Sequence, residues 1–162
     1  MRVLGYLLAG LWFCVPAAGA LSAGQNPPAE SRLGADLAPL DDAFALARMQ
    51  AFTSYLCGTV HPARAHIYRG YRWADDPAAI AEMKRKGPEV VADCFTLIDA
   101  EMLAGPWVMG EDYSVADAYL FTLANWLERD GFDRDRFPKV ADHWRRMQDR
   151  PAVQRALASV RW

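Results

Sequence analysis

Residues 110–121 read Gly-Glu-Asp-Tyr-Ser-Val-Ala-Asp-Ala-Tyr-Leu-Phe, and this stretch decides the fold class. Ser114 and Asp117 have the spacing of a capping box, in which each side chain bonds the backbone N–H of the other residue at the start of a helix. The carboxylate of Asp117 is also favoured at the positive end of the helix dipole. The stretch therefore predicts a helix that begins at Val115.

The predicted helix runs from Val115 to Leu127 and is apolar on nearly every face. After Asp117 no charged residue occurs before Glu128. A helix that is hydrophobic all round is surrounded by other helices, because no face of it suits water. The sequence thus predicts an all-α bundle with a buried central helix, which Asp130-Gly131 ends because glycine readily adopts the left-handed C-cap conformation.

The composition favours one folded domain and argues against a nucleic-acid binder. The chain has 162 residues, of which 52% are hydrophobic, so it can form a substantial core. Its formal net charge is −2, whereas nucleic-acid binders are usually strongly basic. Arginines and aspartates alternate in the C-terminal quarter, which indicates a solvated, ion-paired helix surface.

The cysteines and histidines do not form a metal or disulfide pattern. Cys14, Cys57 and Cys94 are an odd number and include no Cys-x-x-Cys pair. Cys57 and Cys94 occur within apolar helical patterns, so we predict that both are small buried hydrophobes. His61 and His66 are five residues apart and miss the i, i+4 spacing of a helical zinc pair. No metal site is predicted.

Residues 1–22 have the layout of a secretory signal peptide: one positive charge, an uncharged apolar stretch, Pro16, and the small-residue cleavage site Ala18-Gly19-Ala20. A non-native or fragment start and a membrane anchor stay open as alternatives, although a span needs about 20 apolar residues. A signal peptide implies an exported or periplasmic protein, and otherwise the protein is cytoplasmic. Residues 23–36 are predicted to be a linker and residues 37–162 the helical domain.

The first strong helix is predicted from Asp42, a fair N-cap, to His61. Pro62 lacks an N–H and crowds the carbonyl four residues back, so it should kink or end this helix. Ala63 to Arg72 are predicted to continue helically. One face of the first helix carries the apolar residues Ala45, Met49, Phe52, Leu56 and Val60.

Prolines divide the rest of the chain. A short helix is predicted from Pro77 to Lys86, and Gly87-Pro88 should interrupt it before a second helix that ends at Leu103. Residues 105–110 form a loop whose large apolar side chains plug the bundle. Two further helices begin at Phe137-Pro138 and Arg150-Pro151. No strand pattern appears after residue 36, so the fold class is all-α.

These segments together resemble the C-terminal helical domain of glutathione S-transferases, of the bacterial type. The resemblance covers residues 37–160 and is specific because several motifs occur in the right order. They are Leu37-Ala38-Pro39, Thr59-Val60-His61-Pro62-Ala63, Gly105-Pro106 with Gly110, Ser114-Val115-Ala116-Asp117, Tyr119-Leu120-Phe121, Phe137-Pro138 and Arg150-Pro151-Ala152-Val153.

The resemblance implies a division of labour. Enzymes of this family add the thiol of glutathione to an electrophile, and a preceding thioredoxin-like domain supplies the catalytic residue and holds the peptide. Residues 1–36 contain neither a βαβ pattern nor those motifs. We therefore expect no covalently bound cofactor, and glutathione as cosubstrate only if a thioredoxin-like domain is supplied.

The resemblance also selects site residues. His61 matches, by context, a histidine that faces the glutathione sulfur in bacterial members. Thr59 stands where the family often has glutamate, so a carboxylate contact to glutathione is not expected. Tyr55 and Tyr68, with other aromatic residues nearby, are predicted to line an apolar substrate pocket. The alternatives are core or dimer-interface positions for the tyrosines, and a helix-terminal His61 bonded to nearby carbonyls.

Three functional hypotheses follow. The leading one is a glutathione S-transferase-family protein reduced to the helical domain that shapes the electrophile pocket and the dimer interface, and unable to conjugate glutathione alone. The second is a non-catalytic binding module for small apolar ligands or a protein partner. The third is a half-enzyme completed in trans by a thioredoxin-like chain. The expected partners are a second copy or that chain, with no nucleic acid and no stable membrane span.

Overall fold

The computed structural model describes residues 37–159, which fold into helices joined by short loops. Within this range no strand is present, and the single bridge joins Trp107 to Gly110. The all-α prediction is confirmed. No helix in the described range is long and apolar enough to cross a membrane. The predicted signal peptide and linker lie outside the described residues. The helices are α1 (Ala43–Tyr55), α2 (His61–Arg69), α3 (Pro77–Leu97), α4 (Val115–Ala124), α5 (Pro138–Gln148) and α6 (Pro151–Ser159).

Helices α1 and α2 are joined by a π-helical turn, Leu56–Val60, in which the N–H of His61 donates to the carbonyl of Leu56. The predicted break at Pro62 is replaced by this wider turn, after which the chain stays helical. Pro62 lies in the first turn of α2, where a missing N–H costs little. Asp42 caps α1 as predicted, and its carboxylate accepts from two backbone N–H groups.

The predicted interruption at Gly87-Pro88 is wrong, because α3 runs unbroken through both residues. Gly87 is buried against α2, and a Cβ atom there would lie only 2.4 Å from Cγ1 of Ile67. An internal proline costs about 3 kcal/mol, and the helix that accepts this cost packs closely on α2 at Gly87. A second π-helical turn, Ile98–Met102, ends α3.

Helix α4 is the buried central helix, and Leu120 and Ala124 have no exposed surface. Its first residue, Val115, is 47% exposed, and Ala118, Tyr119 and Thr122 are partly exposed, so the enclosure is not complete on every face. The α-helix ends at Ala124 rather than Leu127. Tighter three-residue turns follow and leave Leu127 buried, and Gly131 closes them at φ +89°.

The core lies between α1, α3, α4 and α5, and the loop before α4 covers one end of it. Val108 of that loop is buried, which fits the predicted plug. Two exposed ion pairs, Arg145–Asp135 and Arg146–Asp142, fit the predicted solvated, ion-paired surface of the C-terminal quarter, whereas Arg134, which pairs with Glu128, is buried.

The two described cysteines differ in environment. Cys94 is buried in α3, as predicted, whereas Cys57 is exposed. Cys57 lies in the π-helical turn, directly after the buried Leu56. The apolar stripe of α1 continues through Leu56 to the buried Val60, and Cys57 lies off this stripe.

Candidate functional site

The cap of α4 is a buried polar cluster centred on Asp117. Its carboxylate accepts from the backbone N–H of Ser114 and of Val108, both at 2.7 Å, and from the Ser114 hydroxyl at 3.0 Å. Ser114 and Asp117 form the predicted capping box. The cluster therefore joins the N-terminus of α4 to the plug loop and has a structural role.

His143 of α5 completes this cluster, and the sequence did not single it out. Its Nε2 lies 3.0 Å from Oδ1 of Asp117, and both side chains are fully buried. The ring of Trp107 packs edge-on against the imidazole at 5.9 Å. No local pattern joins His143 to Asp117, because 26 residues separate them.

An open cleft of about 580 Å³ lies between α2 and the turns that follow α4. Aromatic and cationic side chains line it, and no aspartate or glutamate does. The lining includes His61, Arg64, Tyr68, Trp73, Trp126 and Arg129. The structure therefore brings together two of the three predicted substrate-binding residues, His61 and Tyr68.

His61 is held by aromatic rings at the mouth of the cleft. Its Nδ1 lies 3.2 Å from the hydroxyl of Tyr119, and the ring of Trp126 packs edge-on against it at 5.6 Å. Burial, with added repulsion from Arg64 and Arg69, lowers the pKa of His61 below its ordinary 6.5. The imidazole is therefore neutral at pH 7, and Nε2 can meet a ligand.

Arg64 lines the cleft and is held by an ion pair with Asp130, which does not line it. The guanidinium Nε donates to Oδ2 of Asp130 at 2.7 Å, and the carboxylate is almost fully buried. The guanidinium also lies over the ring of Trp126, 4.2 Å from its centroid. This contact ties α2 to the turns after α4, and its partners are 66 residues apart in the sequence.

Tyr68 is the second aromatic residue fixed by this network. Its hydroxyl donates to Oδ1 of Asp130 at 2.7 Å. Burial and the hydrogen bond to Asp130 raise the pKa of the phenol. Tyr68 therefore stays protonated at neutral pH, with its O–H donated to Asp130, and its ring can serve as an apolar wall.

Tyr55 lies elsewhere. It packs against the core and hydrogen-bonds Cys94 of α3. Burial raises the pKa of its phenol. The cleft beside His61 is lined by other residues. Its place in the structure matches the alternative that this tyrosine is a core residue.

A second hollow of about 530 Å³ lies near the start of α4. Its main cation, Arg150, covers the rings of Tyr113 and Trp107, with the guanidinium 3.6 Å from the Tyr113 centroid. The hollow therefore lacks the combination of imidazole and indole that the first cleft presents. Among residues 37–159 no group of His, Cys, Asp and Glu could hold a metal ion.

Known proteins share this fold. The glutathione S-transferase C-terminal domain family matches residues 61–151. A glutathione transferase homologue from Sulfitobacter, solved with bound glutathione, is 38% identical, with a TM-score of 0.75 over 80% of this chain and 62% of that chain. A beta-class glutathione S-transferase of Sphingomonas chungbukensis is 27% identical, with a TM-score of 0.67 over 81% and 62%. Glutathione S-transferase GST-4.5 of Xanthomonas campestris is 24% identical over 129 residues, 76% of this chain and 63% of that protein.

The capped, buried helix and the bundle around it define a helical domain of the glutathione transferase type. The chain belongs to the glutathione S-transferase C-terminal domain family, whose pattern matches more than half of it. The chain spans slightly less than two thirds of the length of these relatives. The resemblance predicted from the sequence is confirmed.

Proposed function

We propose that residues 37–159 provide the helical half of a glutathione transferase site, in which the cleft beside His61 holds the electrophile. The proposal rests on one observation: a single cleft combines a neutral imidazole with the indole rings of Trp73 and Trp126. The aromatic rings suit the apolar body of a ligand. A neutral imidazole can accept the proton of a thiol or hydrogen-bond its sulfur.

In this proposal, conjugation needs a thioredoxin-like unit, either linked or separate. The family resemblance assigns thiol activation and peptide binding to that unit, and residues 37–159 contain no strand from which to build it. Glutathione is then a cosubstrate of the assembled site. The fixed contact of Arg64 with Asp130 gives the helical half a preformed wall before assembly.

A conjugation assay tests the proposal. The purified full chain is mixed with glutathione and 1-chloro-2,4-dinitrobenzene, and we expect only the uncatalysed rate. Adding the isolated thioredoxin-like domain of a bacterial glutathione transferase should raise the rate. His61→Ala should then reduce this increase in the conjugation rate about a hundredfold, the usual contribution of a proton-transferring group.

Ser54→Ala, at an exposed position on α1, is the control and should leave the increase in conjugation rate unchanged. Turnover by the chain alone would contradict the division of labour. An equal gain with His61→Ala would remove His61 from the chemistry.

A second candidate is a binding module without chemistry. The two indole rings and the phenol of Tyr68 favour it, because they can hold an aromatic ligand without any reaction. Ligand binding without conjugation, even after the thioredoxin-like domain is added, would select this candidate.

A further inference from the structure

The second hollow, near the start of α4, carries one positive and one negative side chain. Arg150 and Asp112 both line it, and none of its lining residues lines the cleft beside His61. Its volume of about 530 Å³ suits a small metabolite, because ligand pockets typically enclose about 300 to 1,000 Å³. The rest of its wall is mainly apolar and includes Leu37, Ala38, Pro39, Ala45 and Met109.

Neither charged side chain of this hollow has a partner of opposite charge in the described part of the chain. Among the ion pairs of residues 37–159, none includes Asp112 or Arg150. The exposed carboxylates of Asp135 and Asp142, by contrast, each pair with an arginine. Asp112 and Arg150 therefore face the same hollow without pairing with each other, which leaves both charges for a ligand.

Aromatic rings hold the guanidinium of Arg150 in place before any ligand binds. It lies over the ring of Tyr113, 3.6 Å from the centroid, and 5.5 Å from the centroid of Trp107. These two rings pack edge-on against each other at 5.4 Å. A guanidinium restricted in this way loses little freedom when it binds a carboxylate, which its planar fork can do through two hydrogen bonds.

The two charges together disfavour a ligand that has only one. A simple anion on Arg150 would lie near the carboxylate of Asp112, and a simple cation on Asp112 would lie near the guanidinium. We propose that the second hollow binds a free α-amino acid with an apolar side chain. Its carboxylate lies on Arg150, its ammonium on Asp112 and its side chain on the apolar wall. This inference goes beyond the proposed function, because it needs neither the cleft beside His61 nor a thioredoxin-like unit.

Three ligands that differ by one charge provide the test. L-leucine carries both charges, N-acetyl-L-leucine lacks the ammonium and L-leucinamide lacks the carboxylate. Each is added to the full chain at neutral pH while the indole N–H signal of Trp107 is followed by NMR. L-leucine should bind about tenfold more tightly than either analogue, the contribution of one hydrogen bond between charged groups.

Asp112→Asn should weaken the binding of L-leucine about tenfold and should not weaken that of N-acetyl-L-leucine, which has no ammonium to lose. The matched control is Glu111→Gln, which changes the neighbouring exposed acid outside the hollow. The control should bind all three ligands as the wild type does. Because Asp112 is exposed and takes part in no ion pair of the described range, loss of folding does not complicate this comparison.

Arg150→Gln should weaken the binding of L-leucine and of N-acetyl-L-leucine and leave that of L-leucinamide unchanged. Arg155→Gln, at an exposed position of α6, is its control and should have no effect.

The other outcomes would overturn the inference. Equal affinities for the three ligands, or wild-type binding of L-leucine by Asp112→Asn, would mean that the two charges do not recognise a zwitterion. No shift of Trp107 with any of the three ligands would mean that the hollow is not a site for them. Shifts of Trp73 and Trp126 without a shift of Trp107 would place the amino acid in the cleft beside His61 instead.

Discussion

Asp117 holds the start of the central helix to the plug loop and to α5. Its carboxylate accepts from two backbone N–H groups at 2.7 Å and also contacts His143. The side chain is fully buried, so water cannot replace a lost partner. The same residue thus joins the local cap to the tertiary structure, which makes it the most sensitive polar position in the bundle.

Asp117→Ala should lower the free energy of unfolding by about 3 kcal/mol, because it removes a cap and leaves two buried N–H groups without an acceptor. Urea unfolding of the full chain measures this loss. Glu111→Ala, an exposed acid six residues earlier, is the control and should change stability by less than about 0.5 kcal/mol. A loss below about 1 kcal/mol for Asp117→Ala would show that the buried cluster does not form.

His61 should titrate below the ordinary histidine pKa of 6.5. Burial is the main cause, and the charges of Arg64 and Arg69 add to it. Arg69→Gln should therefore raise the pKa of His61 towards 6.5, whereas Arg85→Gln should not change it. Carbon-detected NMR titration of the histidine Cε1 signals measures both effects. A His61 pKa at or above 6.5 in the wild type would contradict this account of the cleft.

This titration also fixes the sign of a stability effect. As the pH falls below 6.5, the unfolded chain takes up a proton at His61 before the folded chain does. As the pH falls from the unfolded pKa of His61 to its lower folded pKa, protonation of the unfolded chain therefore lowers the free energy of unfolding. Above pH 6.5 the contribution of His61 does not change with pH. We expect a small effect, because the imidazole is partly exposed.

At the residue scale, the sequence identifies groups that have a local signature. Ser114 and Asp117 are three residues apart, and His61 adjoins a proline in a motif typical of the family. His143 and the Arg64–Asp130 pair have no such signature, because 26 and 66 residues separate the partners. Only the folded chain brings them together.

At the element scale, contact between helices decides what happens at Gly87 and Pro88. A Cβ atom on Gly87 would meet the side chain of Ile67 at 2.4 Å, which no ordinary contact allows. The local preferences of glycine and proline therefore predict a break here, whereas the helix is continuous where α2 packs on α3. The periodicity of apolar residues shows that helices lie on both sides of Pro62 and Pro88. Whether the chain breaks at these prolines depends on tertiary contacts.

A double-mutant cycle measures this contact. Gly87→Ala should destabilise the wild type by about 1 kcal/mol, because overpacking against Ile67 exceeds the gain in helix propensity. In an Ile67→Ala background the same change should stabilise by about 1 kcal/mol, since only the propensity gain remains. Thermal or urea unfolding of the four proteins gives both values. Equal effects in the two backgrounds would mean that α2 and α3 do not approach as described.

At the scale of the whole molecule, the bundle and its central helix are predictable from the sequence, and the cleft is only partly so. The pattern from Ser114 onward indicates a helix that others must enclose, and α4 is largely enclosed, with Val115 exposed and Ala118, Tyr119 and Thr122 partly exposed. The cleft forms only where α2 and the turns after α4 lie side by side in the folded chain. Tyr68 and Tyr55 lie close in the sequence, yet one lines the cleft and the other contacts Cys94.

One NMR experiment tests the central claim that the cleft beside His61 is the ligand site. Increasing amounts of N-phenyl-1-naphthylamine are added to the full chain while the indole N–H and histidine Cε1 signals are followed. The signals of Trp73, Trp126 and His61 should shift together with one dissociation constant. Those of Trp107 and His143, in the buried cluster around Asp117, should stay in place. Shifts confined to Trp107 and His143, or none in the cleft, would contradict the account.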